Sequence, residues 1–200
     1  MASSNYADDL RVSAYLLQHC AWPAVSGFVD GGTLVPIETR DDPTAATLDR
    51  DVGIDALHVL DGQVRGIASR FQFGEGAIQR TRGRPWDTFT VRYDRVNGTR
   101  TEYEKRLDQL RGINTGAIYP YYWIQGYSAA ATGDLLSVAV ACTEDLIEYL
   151  ENGREGRDWK WQTVQNARFL SVTWEQYRRA GNWIRIWQRP MPADRPSRNR

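Results

Sequence analysis

Long apolar runs are missing from this chain. No stretch approaches the roughly 20 residues that a membrane-spanning helix needs, and no basic-then-apolar leader opens the sequence, so no membrane association is expected. Cysteine is scarce: Cys20 and Cys142 lie far apart, which argues against a disulfide framework and for a reducing, cytoplasmic compartment. Histidine is equally scarce, and His19 and His58 do not combine with the cysteines into a zinc-binding spacing. Neither sign of charge dominates: 25 basic and 25 acidic residues give a formal net charge of zero. That excludes a strongly steered, non-specific polyanion binder but leaves room for a local basic groove. There is no serine-nucleophile elbow, no Walker-type loop, no dinucleotide glycine fingerprint and no internal repeat.

What is present is an ordinary globular composition, 42% hydrophobic and 25% charged, with eight tryptophans and ten tyrosines concentrated from Trp86 onward. Two hundred residues suit one domain with an embellishment. A domain over residues 1–188 is expected, followed by a flexible proline- and arginine-rich tail, 189–200. Ser3–Asn5 reads as a cap for a helix from Tyr6 to His19 with Tyr6, Leu10, Ser13, Ala14 and Leu17 on its buried stripe. Trp22–Val29 and Leu34–Ile37 read as short strands, and residues 40–49 as a polar loop. Gly74–Arg84 reads as an exposed loop whose Arg80, Arg82 and Arg84 either contact phosphates or are simply solvated. Thr88–Tyr93 alternates as a strand with Phe89, Val91 and Tyr93 inward and Thr88, Thr90 and Arg92 outward. Asn97-Gly98-Thr99 matches a glycosylation sequon but reads as a turn. Thr101 and Glu104 have the form of a capping box for a helix to about Arg111. Strands follow at Ala117–Tyr127 and Leu135–Cys142, a helix at Thr143–Leu150, a strand at Phe169–Trp174, a helical turn at Glu175–Ala180 and a last strand at Trp183–Trp187. The sum is a mixed α/β (α+β) sheet flanked by helices, with a Trp-rich C-terminal extension.

The most informative stretch is Leu48–Phe73. Ile54–Leu60 and Val64–Phe73 read as adjacent strands, and the Asp61-Gly62 pair between them is a strong hairpin signal. Asp55 stands at the mouth of the first strand. Arg70 and Gln72 alternate on the second and so share a sheet face. This grouping reads either as a metal and phosphate site or as a solvated sheet face with a structural ion pair. Asp55 alone reads either as a functional carboxylate or as a strand cap.

An opening helix, strands carrying an acid and then a basic residue, and a further helix and strand together resemble the PD-(D/E)xK nuclease superfamily. The resemblance covers residues 6–127, making that the nuclease-like core and 128–188 the embellishment. It is best at Gly53-Ile54-Asp55-Ala56 and Ile67-Ala68-Ser69-Arg70. It implies a restriction-endonuclease-like core, DNA as partner, Mg²⁺-dependent phosphodiester hydrolysis and a phage, mobile-element or defence setting. A homodimer or another protein partner is also implied. Asp55 matches the family's first acid and metal ligand. The second acid and the lysine, however, are replaced by Ala68 and Arg70. Ala68 supplies no ligand, and the guanidinium of Arg70 orients or stabilises but does not abstract protons. Compensation is open to Gln72 and Asp51, to Glu102 or Glu104 on the next helix, and to Asp8 or Asp9 on the first. The residues implied are thus Asp55, Arg70 and Gln72 for chemistry, Asp55 and Asp51 for metal, and Arg80, Arg82, Arg84 and Arg92 for nucleic acid. The alternative is a relative that no longer cuts and serves as a nucleic-acid-binding or protein-interaction module.

Overall fold

A computed structural model describes residues 6–37, 40, 42–95, 100–113, 119–164 and 167–190. The Ser3–Asn5 cap, the Asn97-Gly98 turn, Ala117 and the tail from 191, as well as the side chain of Asp8, lie outside the described residues.

The core is a mixed six-stranded sheet with helices against it. Helix α1 (Tyr6–Tyr15) opens the chain. It does not stop near His19: it widens into a π-helical turn, Leu16–Ala21, and continues as α2 (Trp22–Val25) and a tight turn, Ser26–Val29. Trp22–Val29 is therefore helical, not a strand. Pro23 has no N–H to donate and normally ends a helix. Here Trp22 N–H bonds back five residues to the Leu17 carbonyl, so the wide turn absorbs the proline.

Strands β1 (Thr33–Pro36), β2 (Ala56–Leu60) and β3 (Gln63–Phe73) form an antiparallel meander. Asp61 and Gly62 both take positive φ, 48° and 75°, which makes the left-handed two-residue hairpin turn that the Asp-Gly pair favours. Between β1 and β2 the expected loop contains helix α3 (Pro43–Thr47). Asp42 caps it by accepting from Ala45 N at 2.8 Å, and Pro43 sits in its first turn. A second π-helical turn, Leu48–Val52, leads to Gly53 at φ 71°.

After β3 the loop folds into a short ribbon, β4 (Ile78–Gln79) with β5 (Arg84–Pro85). Next come β6 (Thr88–Arg95), α4 (Glu102–Leu110) and β7 (Pro120–Ala130), which returns parallel to β3. Strand β8 (Gly133–Cys142) pairs antiparallel with β7, and α5 (Thr143–Asn152) follows. The remaining elements are β9 (Lys160–Val164), β10 (Ala167–Thr173), α6 (Trp174–Arg179) and β11 (Ile184–Gln188). The central order is β1-β2-β3-β7-β8-β11, and β6-β10-β9 form a separate sheet.

Residues 128–188 are thus not an appendage. They complete the central sheet through β8 and β11 and supply two strands of the second sheet. Trp174 (1% exposed) lies in the larger core with Phe89, Tyr127 and Tyr177, and Trp161 packs against it. The expectation that Thr88 and Thr90 face outward is also corrected: both are buried, because β7 packs over that face of β6. Their polar groups are met by Gln125 and Tyr127. Among the described residues no helix is long and apolar enough to cross a membrane.

Candidate functional site

The cleft that holds Asp55 is built by the meander, α1, β6 and α4. Strand β2 pairs with β3 only from Ala56 opposite Ile67. Beyond that point Ser69 N–H has no strand partner on the β2 side. Asp55 fills the gap: its N–H donates to the Ile67 carbonyl at 2.8 Å, and its carboxylate accepts from Ser69 N–H. The acid is therefore a strand cap by construction. Its delivery is fixed from the other side by Arg106 of α4, which is buried and donates to the carbonyls of Val52 and Gly53, the latter at 2.6 Å. A Cβ on Gly53 would come within 2.6 Å of that guanidinium, and its positive φ also requires glycine.

Arg70 projects from β3 into the same cleft. Its Nη1 lies 3.4 Å from both carboxylate oxygens of Glu102, the first residue of α4. Glu102 Oε2 also accepts from Arg92 N–H at 3.1 Å. The guanidiniums of Arg70 and Arg92 lie 4.4 and 5.4 Å from the centre of the Phe169 ring. Glu102 points here because the capping box is satisfied by its neighbours. Thr101 accepts from Glu104 N–H while Glu104 takes Thr101 N–H at 2.8 Å. Glu104 is thereby committed to the cap and Glu102 is left to the cleft.

The cleft has a volume of about 720 Å³, and α1 lines it through Leu10 and Ser13. Its charges oppose one another. Burial, reinforced by the charges of Asp49 and Glu102 and opposed by the Ser69 bonds, pushes the Asp55 carboxyl up to about 7. Burial raises Asp49 as well, with Lys105 acting against it. For Glu102 burial is outweighed by Arg70, Arg92 and the Arg92 amide, which hold it below the usual carboxylate range. Burial brings Arg106 down to about 10 despite the nearby Asp55 and Glu102.

The residues singled out in the sequence are distributed as follows. Asp55, Arg70 and Arg92 meet in the cleft, joined by Glu102. Asp51 stands at its mouth, exposed and paired with Arg50 at 2.9 Å. Gln72 shares the face of Arg70 but lines an adjoining cleft, which Asp9 and Arg80 also line. Arg82 and Arg84 line neither; Arg84 pairs with Asp87 at 3.6 Å. His58 is buried, with Nε2 2.7 Å from the Gly31 carbonyl and its ring near Trp22 and Tyr122. Sequence reasoning missed Arg106, Lys105 and Asp49. The signal for Arg106 was its position four residues after Glu102, which places both on one helix face.

Magnesium is commonly held by one or two carboxylates, with water and substrate phosphate completing the shell. Asp55 and Glu102 fit that donor set. Among the described residues no Lys or Arg side chain donates a hydrogen bond to Asp55, so its carboxylate is open to a cation from the cleft side. An all-protein cage does not fit, since no three His, Cys, Asp or Glu side chains converge among the described residues. In comparisons with known proteins, no family model, no curated protein and no solved structure matches this chain.

Proposed function

We propose that the cleft binds nucleic-acid phosphodiesters, with DNA as the partner, and hydrolyses them with Mg²⁺ held by Asp55 and Glu102. The observation that carries this reading is that Asp55 and Glu102, from separate elements, face one cleft with Arg70 and Arg92 beside them. In the PD-(D/E)xK pattern Ala68 leaves the second carboxylate position empty, and Glu102 would take that role from α4. The chain order is in keeping with the resemblance: an opening helix, an antiparallel meander with an acid, then a helix leading to a strand parallel to β3.

Bound here, Mg²⁺ would polarise a phosphoryl oxygen and lower the pKa of an attacking water. The chain's own residues do the rest. Asp55 must be ionised to act as a ligand, so activity falls on the acid side of about pH 7. Arg70 and Arg92 grip the phosphate and stabilise charge that develops on it, while the high pKa of a guanidinium keeps both from acting as the base. Arg106 holds the Val52–Gly53 turn, and with it Asp55, in place.

Mg²⁺- or Mn²⁺-dependent cleavage of linear, branched or single-stranded DNA tests the proposal. Asp55→Asn keeps an oxygen to accept Ser69 N–H but removes the charge; it is expected to abolish cleavage, as is Glu102→Gln. Cleavage that survives Asp55→Ala would sink the assignment. Mg²⁺ should also raise the melting temperature at pH 8 for the parent and not for Asp55→Asn.

A second reading, DNA binding without cutting, is favoured by the Arg70–Glu102 ion pair and the Arg92 amide, which already engage the second carboxylate. It requires DNA affinity indifferent to Mg²⁺ and no turnover.

A further inference from the structure

The polar cleft does not end at Arg70. Beyond Arg70 and Phe71 a second cleft of about 710 Å³ opens, sharing those residues and Ser13 with the first. Its character is different. Phe73, Trp86 and Phe169 supply aromatic wall, and Gln72, Gln79 and Gln162 supply side-chain amides. Gln79 Nε2 is held by the Pro85 carbonyl and the Asp87 carboxylate, both at 3.2 Å, which fixes the amide in the wall. Of the acids at its edge, Glu75 pairs with Arg80 at 3.8 Å. Phe169 is also the ring over which Arg70 and Arg92 lie, so the guanidiniums of one cleft and the aromatic wall of the other form one assembly.

An occupant that spans both clefts needs an anionic group at one end and a flat, partly apolar, hydrogen-bonding body at the other. That is the chemistry of a nucleotide. We propose that the second cleft takes the base of a nucleotide whose phosphate lies at Arg70 and Arg92, so that the groove selects unpaired over duplex nucleic acid. A base stacked and paired in a duplex offers no free face to such a wall, whereas an unpaired one stacks on aromatic rings and shows its edges to amides. The inference rests on the phosphodiester-binding reading above.

The test compares two single strands of equal length and charge in EDTA, one of ten thymidines and one with abasic sites, by fluorescence anisotropy. The thymidine strand should bind about tenfold or more tightly than the abasic one, the order expected for stacking of one base. Gln72→Ala and Gln162→Ala should narrow that ratio while leaving abasic affinity unchanged, which also shows that the variants are folded. Equal affinity for the two strands would overturn the base cleft and leave the phosphodiester reading standing. A ratio unmoved by both variants would overturn the assignment to this cleft. Failure of both strands to bind, in EDTA and again with Ca²⁺ in place of Mg²⁺, would remove both proposals.

Discussion

The two faces of the central sheet both bury an apolar core, but only one of them builds a polar network into it. Beneath the opening helices, Ile67, Phe71, Ile124, Val138 and Val140 meet Leu16, Leu17, Ala21 and Val25 in a mainly apolar layer, with His58 buried beside Trp22 and Tyr122. On the other face Arg70, Gln125 and Tyr127 meet Thr88, Thr90 and Phe169. Gln125 is fully buried, accepts from Thr90 N–H at 2.8 Å and donates to the hydroxyls of Thr90 and Tyr127, both at 2.9 Å. One face is specified mainly by volume, the other by volume and, around Gln125, by partners as well. The candidate site opens at the edge of the second, where the polar layer reaches solvent through Arg70 and Glu102. A polar interior adjoining a charged cleft lets the sheet support ionic groups without setting them directly against an aliphatic core.

The comparison breaks first at Leu17. Leu17→Ala should cost about 3–4 kcal/mol in urea unfolding followed by tryptophan fluorescence, because it opens a cavity under the sheet. Leu17→Met, which keeps the volume, should cost about 1 kcal/mol. The opposite face should not tolerate the same kind of exchange. Gln125→Leu nearly preserves volume, yet strands the Thr90 N–H and hydroxyl in the interior, at about 2–3 kcal/mol, while the Tyr127 hydroxyl keeps its Thr88 partners. If the Leu17→Met and Gln125→Leu costs were equal, the distinction between the faces would fail.

A pH-dependent effect sharpens the comparison at the edge. A carboxyl raised in the folded state adds stability that is complete below its unfolded value, near 4, and is lost as pH rises through about 7. Asp55→Asn removes this dependence. Relative to the variant, the parent should lose about 2–3 kcal/mol between pH 5 and pH 8 in metal-free buffer. Parallel pH profiles for the two proteins would show that Asp55 titrates as it does in water.

Much of this architecture was legible because its signals are local. The Asp61-Gly62 turn, the Thr101–Glu104 capping box and the apolar run ending at Cys142 each identify an element from a few adjacent residues. The helical Trp22–Val29 was hidden by Pro23, whose effect is cancelled by a π-turn that propensity does not foresee. Helix α3 was signalled by Asp42-Pro43 and obscured by the polarity around it. Strand β9 is short, half exposed and polar, and only its pairing with β10 marks it. At the site, Asp55 and Arg70 were visible because one hairpin carries both. Glu102 was only one of several acids in reach, since its choice over Glu104 depends on which carboxylate the helix cap consumes. The outward reading of Thr88 and Thr90 failed because alternation reports that two faces differ, not that one of them is wet.

The parallel pairing of β3 with β7 has a kinetic consequence. Everything from Gly74 to Tyr119 must be gathered before those strands can meet, and such distant contacts are closed slowly because loop entropy is lost before they reward it. The hairpin with Asp55 and Arg70 is local and can form early. Glu102 and Arg106 lie inside the crossover and reach that hairpin only when it closes. The cleft is therefore among the last features of the molecule to assemble, and a chain caught partway would present an arginine and a carboxylate on a hairpin but no site.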